Sequence, residues 1–234
     1  MRIAVGDIHG CYKTLKVLLE KHLKIQPCDY IYIVGDLIDR GPYSKQVVDY
    51  ILEKKEQGFQ VEVVRGNHEE LIINTFLDQT ENNYLLWMMN GAEATLQSYN
   101  IESYKYEGVV AVNHIPEKHI SFFRSLPYYI ELDNSFIVHA GIDFQVEEPF
   151  KNYSEMIWSR ELSYSEKETR GKMIVHGHTP IPVAIAKEYF QKTGKIEVNI
   201  DTGCVYKDRH PGMGYLTAFD LDTFQFYTIE NKDF

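Results

Sequence analysis

Three short runs concentrate the residue types that handle metal ions and phosphate: Gly6-Asp7-Ile8-His9-Gly10, Gly35-Asp36-Leu37-Ile38-Asp39-Arg40-Gly41 and Gly66-Asn67-His68-Glu69. Carboxylate and amide oxygens suit hard divalent cations, and imidazole suits first-row metals. A site mixing both points to manganese, iron or zinc more than to calcium. Two carboxylates, an amide and several histidines exceed what one tetrahedral ion can use, so the set points to a dinuclear centre with one aspartate bridging. Further ligands must come from later in the chain, where His139 ends the run Phe136–His139 and His176-Gly177-His178-Thr179-Pro180 follows another apolar run. Spacing alone allows either His176 or His178 to be the ligand.

What must position these residues is legible around them. Each of the first three runs follows a β-branched or apolar segment: Ile3–Val5, Tyr30–Val34 and Val61–Val64. Between them lie segments of helical period, Tyr12 to about His22 and Ser44 to Gln57, the second closed by Gly58. That is a βαβαβ rhythm, hence a parallel sheet, and ligands of such sheets sit beyond the carboxyl ends of the strands. Asp and Asn after glycine are ordinary turn residues, but three such clusters at three equivalent strand ends should converge in space.

From Glu70 to Ser98 the period is helical with a break at Gln79 to Asn83, and a further short helix is expected from Pro116 to Phe123. Strands then return in quick succession: 128–132, 136–139, 173–176, 196–201, 215–220 and 225–229. Turns fall at Asn134-Ser135 and Asp222-Thr223. The polar segment from Ser154 to Gly171 reads as a loop or short helix on the active face. The expected architecture is α/β: one domain over residues 1–234, a central mixed β-sandwich flanked by helices, with a helical insert at about 70–125 to one side.

Composition narrows the partners. With 44% apolar and 25% charged residues among 234, disorder, collagen and coiled coil are excluded. A net charge of −10 without a local basic stripe argues against nucleic acid and anionic membrane surfaces. No apolar run approaches the length of a membrane span and no leader pattern opens the chain. The three separated cysteines fit a reducing compartment, so a cytoplasmic location is expected. Most of the 17 Tyr and 12 Phe read as core, while Tyr99, Tyr104 and Tyr106 are candidates for a substrate groove.

In order and spacing, GDIHG at 6–10, GDLIDRG at 35–41, GNHE at 66–69, HAG at 139–141 and GHT at 177–179 resemble the phosphoprotein phosphatases of the metallophosphoesterase superfamily. The likeness is to the compact bacterial and phage-lambda-type serine/threonine phosphatases. It extends to Leu126-Pro127, Trp158-Ser159-Arg160 and Ile200-Asp201-Thr202-Gly203, nearly the whole chain. It implies a calcineurin-like fold and two divalent ions, manganese foremost, with iron or zinc as alternatives. Asp7 and His9 would hold the first ion, Asp36 would bridge, and Asn67, His139 and His178 would complete the second. His68 would be the general acid oriented by Asp39, and Arg40 and Arg160 would grip the phosphate. The Gly-His-Thr-Pro match makes His178 the ligand and leaves His176 to packing or support. Arg65, Glu69 and Asp201 read as hydrogen-bond partners of the ligands. His22, His114, His119 and His210 lie outside the matched motifs.

The activity implied is phosphomonoester hydrolysis by direct attack of a hydroxide held at the dinuclear centre, with phosphoserine or phosphothreonine proteins or peptides as substrates. Hydrolysis of diadenosine polyphosphates and broad action on small phosphoesters are the alternatives. Asp39 and Glu69 tilt against the diadenosine reading, because those relatives typically depart from the pattern there. An inactive phosphopeptide-binding chain is the remaining alternative, disfavoured because every expected ligand and His68 are present.

Overall fold

Alternation along the strands settles how the layers stack. In β1 (Arg2–Val5) Ile3 and Val5 face a core shared with helices, whereas Ala4 faces a second sheet. β2 (Tyr30–Ile33) repeats this, with Ile31 and Ile33 on the helix side and Tyr32 on the other. The computed structural model describes residues 1–102 and 108–234.

The first sheet has the order β3-β2-β1-β8-β9, with β3 at Gln60–Val63, β8 at Tyr215–Asp220 and β9 at Phe226–Glu230. Its first three strands are parallel, with Ile3 opposite Ile31 and Ile31 opposite Val61; β8 runs antiparallel to β1 and β9 antiparallel to β8. The second sheet follows chain order: β4 (Tyr129–Glu131), β5 (Ser135–Val138), β6 (Met173–His176) and β7 (Glu197–Asn199), parallel except for β4. Ile137, Val175, Val198 and Phe219 fill the space between the sheets.

The other face of the first sheet is covered by α1 (Tyr12–Lys16), prolonged by a π-helical stretch Val17–Leu23, and by α2 (Ser44–Glu56), α3 (Asn67–Asp78), α4 (Glu81–Met89), α5 (Ala92–Ser98) and α6 (Glu117–Ser125). Leu15, Val47, Ile72, Trp87, Leu96 and Phe123 join the sheet in one continuous cluster. On the outside of the second sheet, Met156 and Ile157 of α7 (Tyr153–Trp158) pack on Phe136 and Ile174. The expected α/β sandwich with outer helices is therefore the observed fold.

Four local differences have simple causes. The break after α3 is narrower than expected: Gln79 turns left-handed and the Thr80 hydroxyl accepts Asn83 N–H at 3.3 Å, so α4 starts at Glu81. A second break falls at Asn90-Gly91, where Gly91 takes φ 101°. Pro116 sits at the cap of α6 and not at its first helical residue. An unanticipated helix, α8 (Val183–Lys192), follows Pro182 and buries Ala186 and Phe190, four residues apart. Its β-branched opening masks that period. Among the described residues no helix is long and apolar enough to cross a membrane.

Candidate active site

The ends of β1, β2 and β3 meet those of β5 and β6, and the closeness of the approach shows at two glycines. A Cβ on Gly177 would overlap Asp7 Oδ1, and a Cβ on Gly66 would overlap Asp36 Oδ1. Gly177→Ala should thus push Asp7 out of place: we expect a loss of about 1–3 kcal/mol, the scale of overpacking, read by thermal unfolding, together with weaker metal uptake by titration. An unchanged melting temperature and metal affinity would contradict this packing.

Asp36 stands at the middle. Its Oδ1 accepts His68 N–H at 3.1 Å in the first turn of α3, where the helix dipole favours a carboxylate. Oδ2 is then 3.5 Å from His9 Nε2, 3.4 Å from His139 Nε2 and 3.9 Å from His68 Nε2. Burial disfavours its charge, but His139, His68 and His9 outweigh burial and hold the carboxyl below its usual range. Glu69 secures the loop by accepting from Asp36 N, Leu37 N and Gly66 N at 2.8–2.9 Å.

The imidazole tautomers follow from their partners. His9 Nδ1 lies 2.8 Å from Ile38 O, and His139 Nδ1 lies 2.8 Å from Val34 O. A carbonyl only accepts, so Nδ1 carries the proton in both, and both Nε2 lone pairs face Asp36. Asn67 Oδ1 is 2.9 Å from His139 Nε2 and 3.0 Å from His178 Nδ1, and those two nitrogens are 3.1 Å apart. Burial, first among the causes, lowers the pKa of His9, His139 and His178, the last to about 3.

Two buried triads of ligand atoms, His9-Asp36-His68 and Asp36-His139-His178, each fall within 4.8 Å of one another and share Asp36. One proton cannot satisfy so many converging acceptors, and His178 Nε2 is buried without a hydrogen-bond partner. A cation in each triad can satisfy them. Asp7 belongs to neither triad; both its oxygens accept His178 N–H, at 3.3 and 3.1 Å. Burial, then Asp201 and Asp36, push its pKa well above the usual carboxylate value, and burial pushes Asp201 up to about 7. This crowding of acids is relieved by divalent ions, so the donor set fits the metals that the motifs imply.

The backbone records the same demand. His9, Asp36, Asp39, Arg40 and His178 all take positive φ, between 44° and 70°. Non-glycine residues in such regions cost of the order of 1–3 kcal/mol each and cluster at functional sites.

His68 Nδ1 and Asp39 Oδ2 are 2.7 Å apart, both fully buried, and His68 Nε2 has no hydrogen-bond partner. Asp39 also accepts from Trp87 Nε1 at 2.9 Å and Thr95 Oγ1 at 2.6 Å, while its own N–H donates to Thr95 Oγ1 and Ser44 Oγ. Trp87, Thr95 and Ser44 come from three helices and carry no motif that would have revealed them. Arg40 Nη1 donates to His9 Nε2 at 2.6 Å, and its guanidinium lies 5.8 Å over the Tyr206 ring. Arg160 is exposed and close enough for its charge to lower His178. His176 is in neither triad and pairs with Glu197 Oε1 at 3.0 Å. Arg65 is bound to Glu70 and Tyr128. The Tyr99 hydroxyl is 2.7 Å from His119 Nδ1 and its ring packs on the core; Tyr104 and Tyr106 lie outside the described residues.

Two imidazole–carboxylate triads sharing one aspartate, at the strand ends of a two-sheet α/β fold, make a candidate dinuclear metal centre. The chain belongs to the calcineurin-like phosphoesterases, whose family profile matches residues 2–216. It is similar to bis(5'-nucleosyl)-tetraphosphatase PrpE of Bacillus cereus, designated asymmetrical, with 28% identity over 237 residues that span 90% of this chain and 89% of that one. A solved structure described provisionally as a diadenosine tetraphosphatase shares the fold, with TM-score 0.66, 20% identity and coverage of 100% of this chain and 94% of that one. So does a protein serine/threonine phosphatase from Saccharomyces cerevisiae, with TM-score 0.60, 16% identity and coverage of 98% and 79%.

Proposed function

We propose that this chain is a single-domain metallohydrolase over residues 1–234, its helices at about 70–125 an insert, that cleaves bis(5'-nucleosyl) tetraphosphates asymmetrically. The observation that carries this is the likeness, along about nine-tenths of both chains, to a protein bearing that activity in its name. It revises the expectation of a serine/threonine protein phosphatase. Asp39 and Glu69 had tilted against nucleotides. In the structure Asp39 anchors a buried helix network and Glu69 holds three backbone amides. Glu69's duty serves the scaffold whatever the substrate, so it does not discriminate, whereas Asp39 also holds the His68 imidazole and keeps its bearing on the leaving group.

The ions, manganese foremost with iron or zinc as alternatives, would be held by Asp7, His9 and Asp36 on one side and by Asp36, Asn67, His139 and His178 on the other. When bound, they supply charge neutralisation at the phosphoryl group and an acidified water. Arg40 and Arg160 present planar guanidinium forks to phosphate oxygens. His9 Nε2 cannot serve both an ion and Arg40, so an ion held there would leave Arg40 free for substrate. His68 holds a proton at Nε2 for the departing oxygen, and Asp39 stabilises the imidazolium by accepting from Nδ1. Three free cysteines accord with a cytoplasmic setting.

A second reading, hydrolysis of serine or threonine phosphates, is favoured by one observation: the buried His68–Asp39 pair suits a poor alkoxide leaving group, which needs a proton more than a phosphate does. A single assay separates them. Bis(5'-adenosyl) tetraphosphate, a phosphoserine peptide, an aryl phosphate and an aryl phosphodiester are compared with EDTA, Mn²⁺, Mg²⁺ and Zn²⁺. The proposal expects kcat/KM for the tetraphosphate to exceed that for the peptide by roughly 100-fold or more, as a built substrate site discriminates, and EDTA to abolish both. Equal or reversed preference overturns it.

A further inference from the structure

Where α8 meets the ends of β6 and β7 lies a cavity of about 200 Å³. His176 and Thr179, which flank His178 in the chain, line it together with Arg160, so it adjoins the proposed second metal position. Its apolar lining is Leu162, Ile181 and Ile185, with Tyr189, Glu197 and Asn199 adding polar groups. Glu197 and Asn199 are almost fully buried. Glu197 is fixed by Tyr189 Oη–H and His176 Nε2, each at 3.0 Å, and Asn199 Nδ2 donates to Thr179 O at 2.8 Å.

Apolar walls around a few fixed polar groups are the makings of a small-molecule subsite. This one suits a planar heterocycle whose exocyclic N–H groups can meet the carboxylate oxygens. It is unsuited to another phosphate, because the buried Glu197 carboxylate repels one. We propose that the cavity takes the nucleoside attached to the phosphorus under attack, and so sets where a bis(5'-nucleosyl) tetraphosphate is cut. This rests on the nucleotide reading above.

With the nucleoside there, its own α-phosphorus lies at the centre. The oxygen of water bonds to that phosphorus, and the bond from it to the oxygen bridging to the next phosphate breaks. The departing oxygen takes the proton of His68, which a proton from the attacking water replaces. The products are a nucleoside monophosphate and a nucleoside triphosphate, an asymmetric cut.

The test is equilibrium binding of AMP and of inorganic phosphate to the manganese-loaded protein by calorimetry, in the native chain, in Ile185→Trp and in Leu162→Trp. Ile185 is 48% exposed on α8, so tryptophan there can fill the cavity from its rim with the fold intact. AMP is expected to bind about ten-fold more tightly than phosphate, as apolar pockets discriminate, and both fillings should erase that advantage. Equal binding of AMP and phosphate in the native protein overturns the proposal, as does an advantage that survives both fillings. Competition for the cavity won by a phosphoserine peptide over AMP also overturns it. The two readings fail separately: absence of tetraphosphate hydrolysis with the AMP advantage intact sinks the nucleotide function and spares the cavity. Tetraphosphate cleavage untouched by both fillings does the reverse.

Discussion

Asp36→Asn should leave the protein folded and nearly inert. Asparagine preserves the shape of the side chain and an oxygen for His68 N–H, so the first turn of α3 keeps its contact. What disappears is the one negative charge that both triads share. His9 and His139 would then face a neutral amide, and neither cation position would keep its common anionic ligand. We expect bound metal after gel filtration to fall from two ions per chain toward one or fewer. Turnover of an aryl phosphate should drop by at least about 10³-fold, the scale of losing a major electrostatic contact to the transition state. Retention of both ions and of full activity would rule out Asp36 as the bridge. Circular dichroism checks that the loss is not unfolding.

His68→Asn separates chemistry from metal binding. The His68 ring is tied to Asp39 through Nδ1, and its Nε2 stands furthest of the three imidazoles from Asp36 Oδ2, at 3.9 Å. Two ions should therefore remain bound while kcat falls by roughly 10²–10⁴-fold, the contribution of a positioned general acid. Burial lowers the pKa of His68, but Asp36 and Asp39 more than offset it and raise it above the ordinary imidazole value. An acid must be protonated to act, so native activity should decline as pH rises through this elevated pKa, and the variant should lack that alkaline limb. Leaving groups that need the proton most should suffer most: an alkyl phosphate more than an aryl phosphate. Loss of metal in the variant would instead make His68 a ligand, a role its place in the first triad permits geometrically.

The strand ends that carry Asp7, Asp36 and Asn67 were legible because a buried parallel strand needs a β-branched run and a sharp exit, and both leave a local mark. The same held for β5 and β6 ahead of His139 and His178. Helix α8 escaped because its opening, Val183-Ala184-Ile185, serves a strand as well as a helix until Phe190 packs between the sheets. The support of Asp39 was invisible for a different reason. Trp87, Thr95 and Ser44 stand 48, 56 and 5 residues away, and nothing local distinguishes them from other helix residues.

By itself, then, the sequence determined the residue types of the centre, their order along the chain and the sheet that would gather them, since ligand chemistry and strand periodicity are local properties. Tertiary structure decided which imidazole nitrogens face inward, because carbonyls of Ile38 and Val34 claim the other nitrogen. It also decided that five of these residues sit in left-handed backbone, and that a carboxylate-bearing cavity lies where α8 meets the ends of β6 and β7. Those features depend on contacts between segments far apart in the chain, which are set only when the two sheets pack face to face.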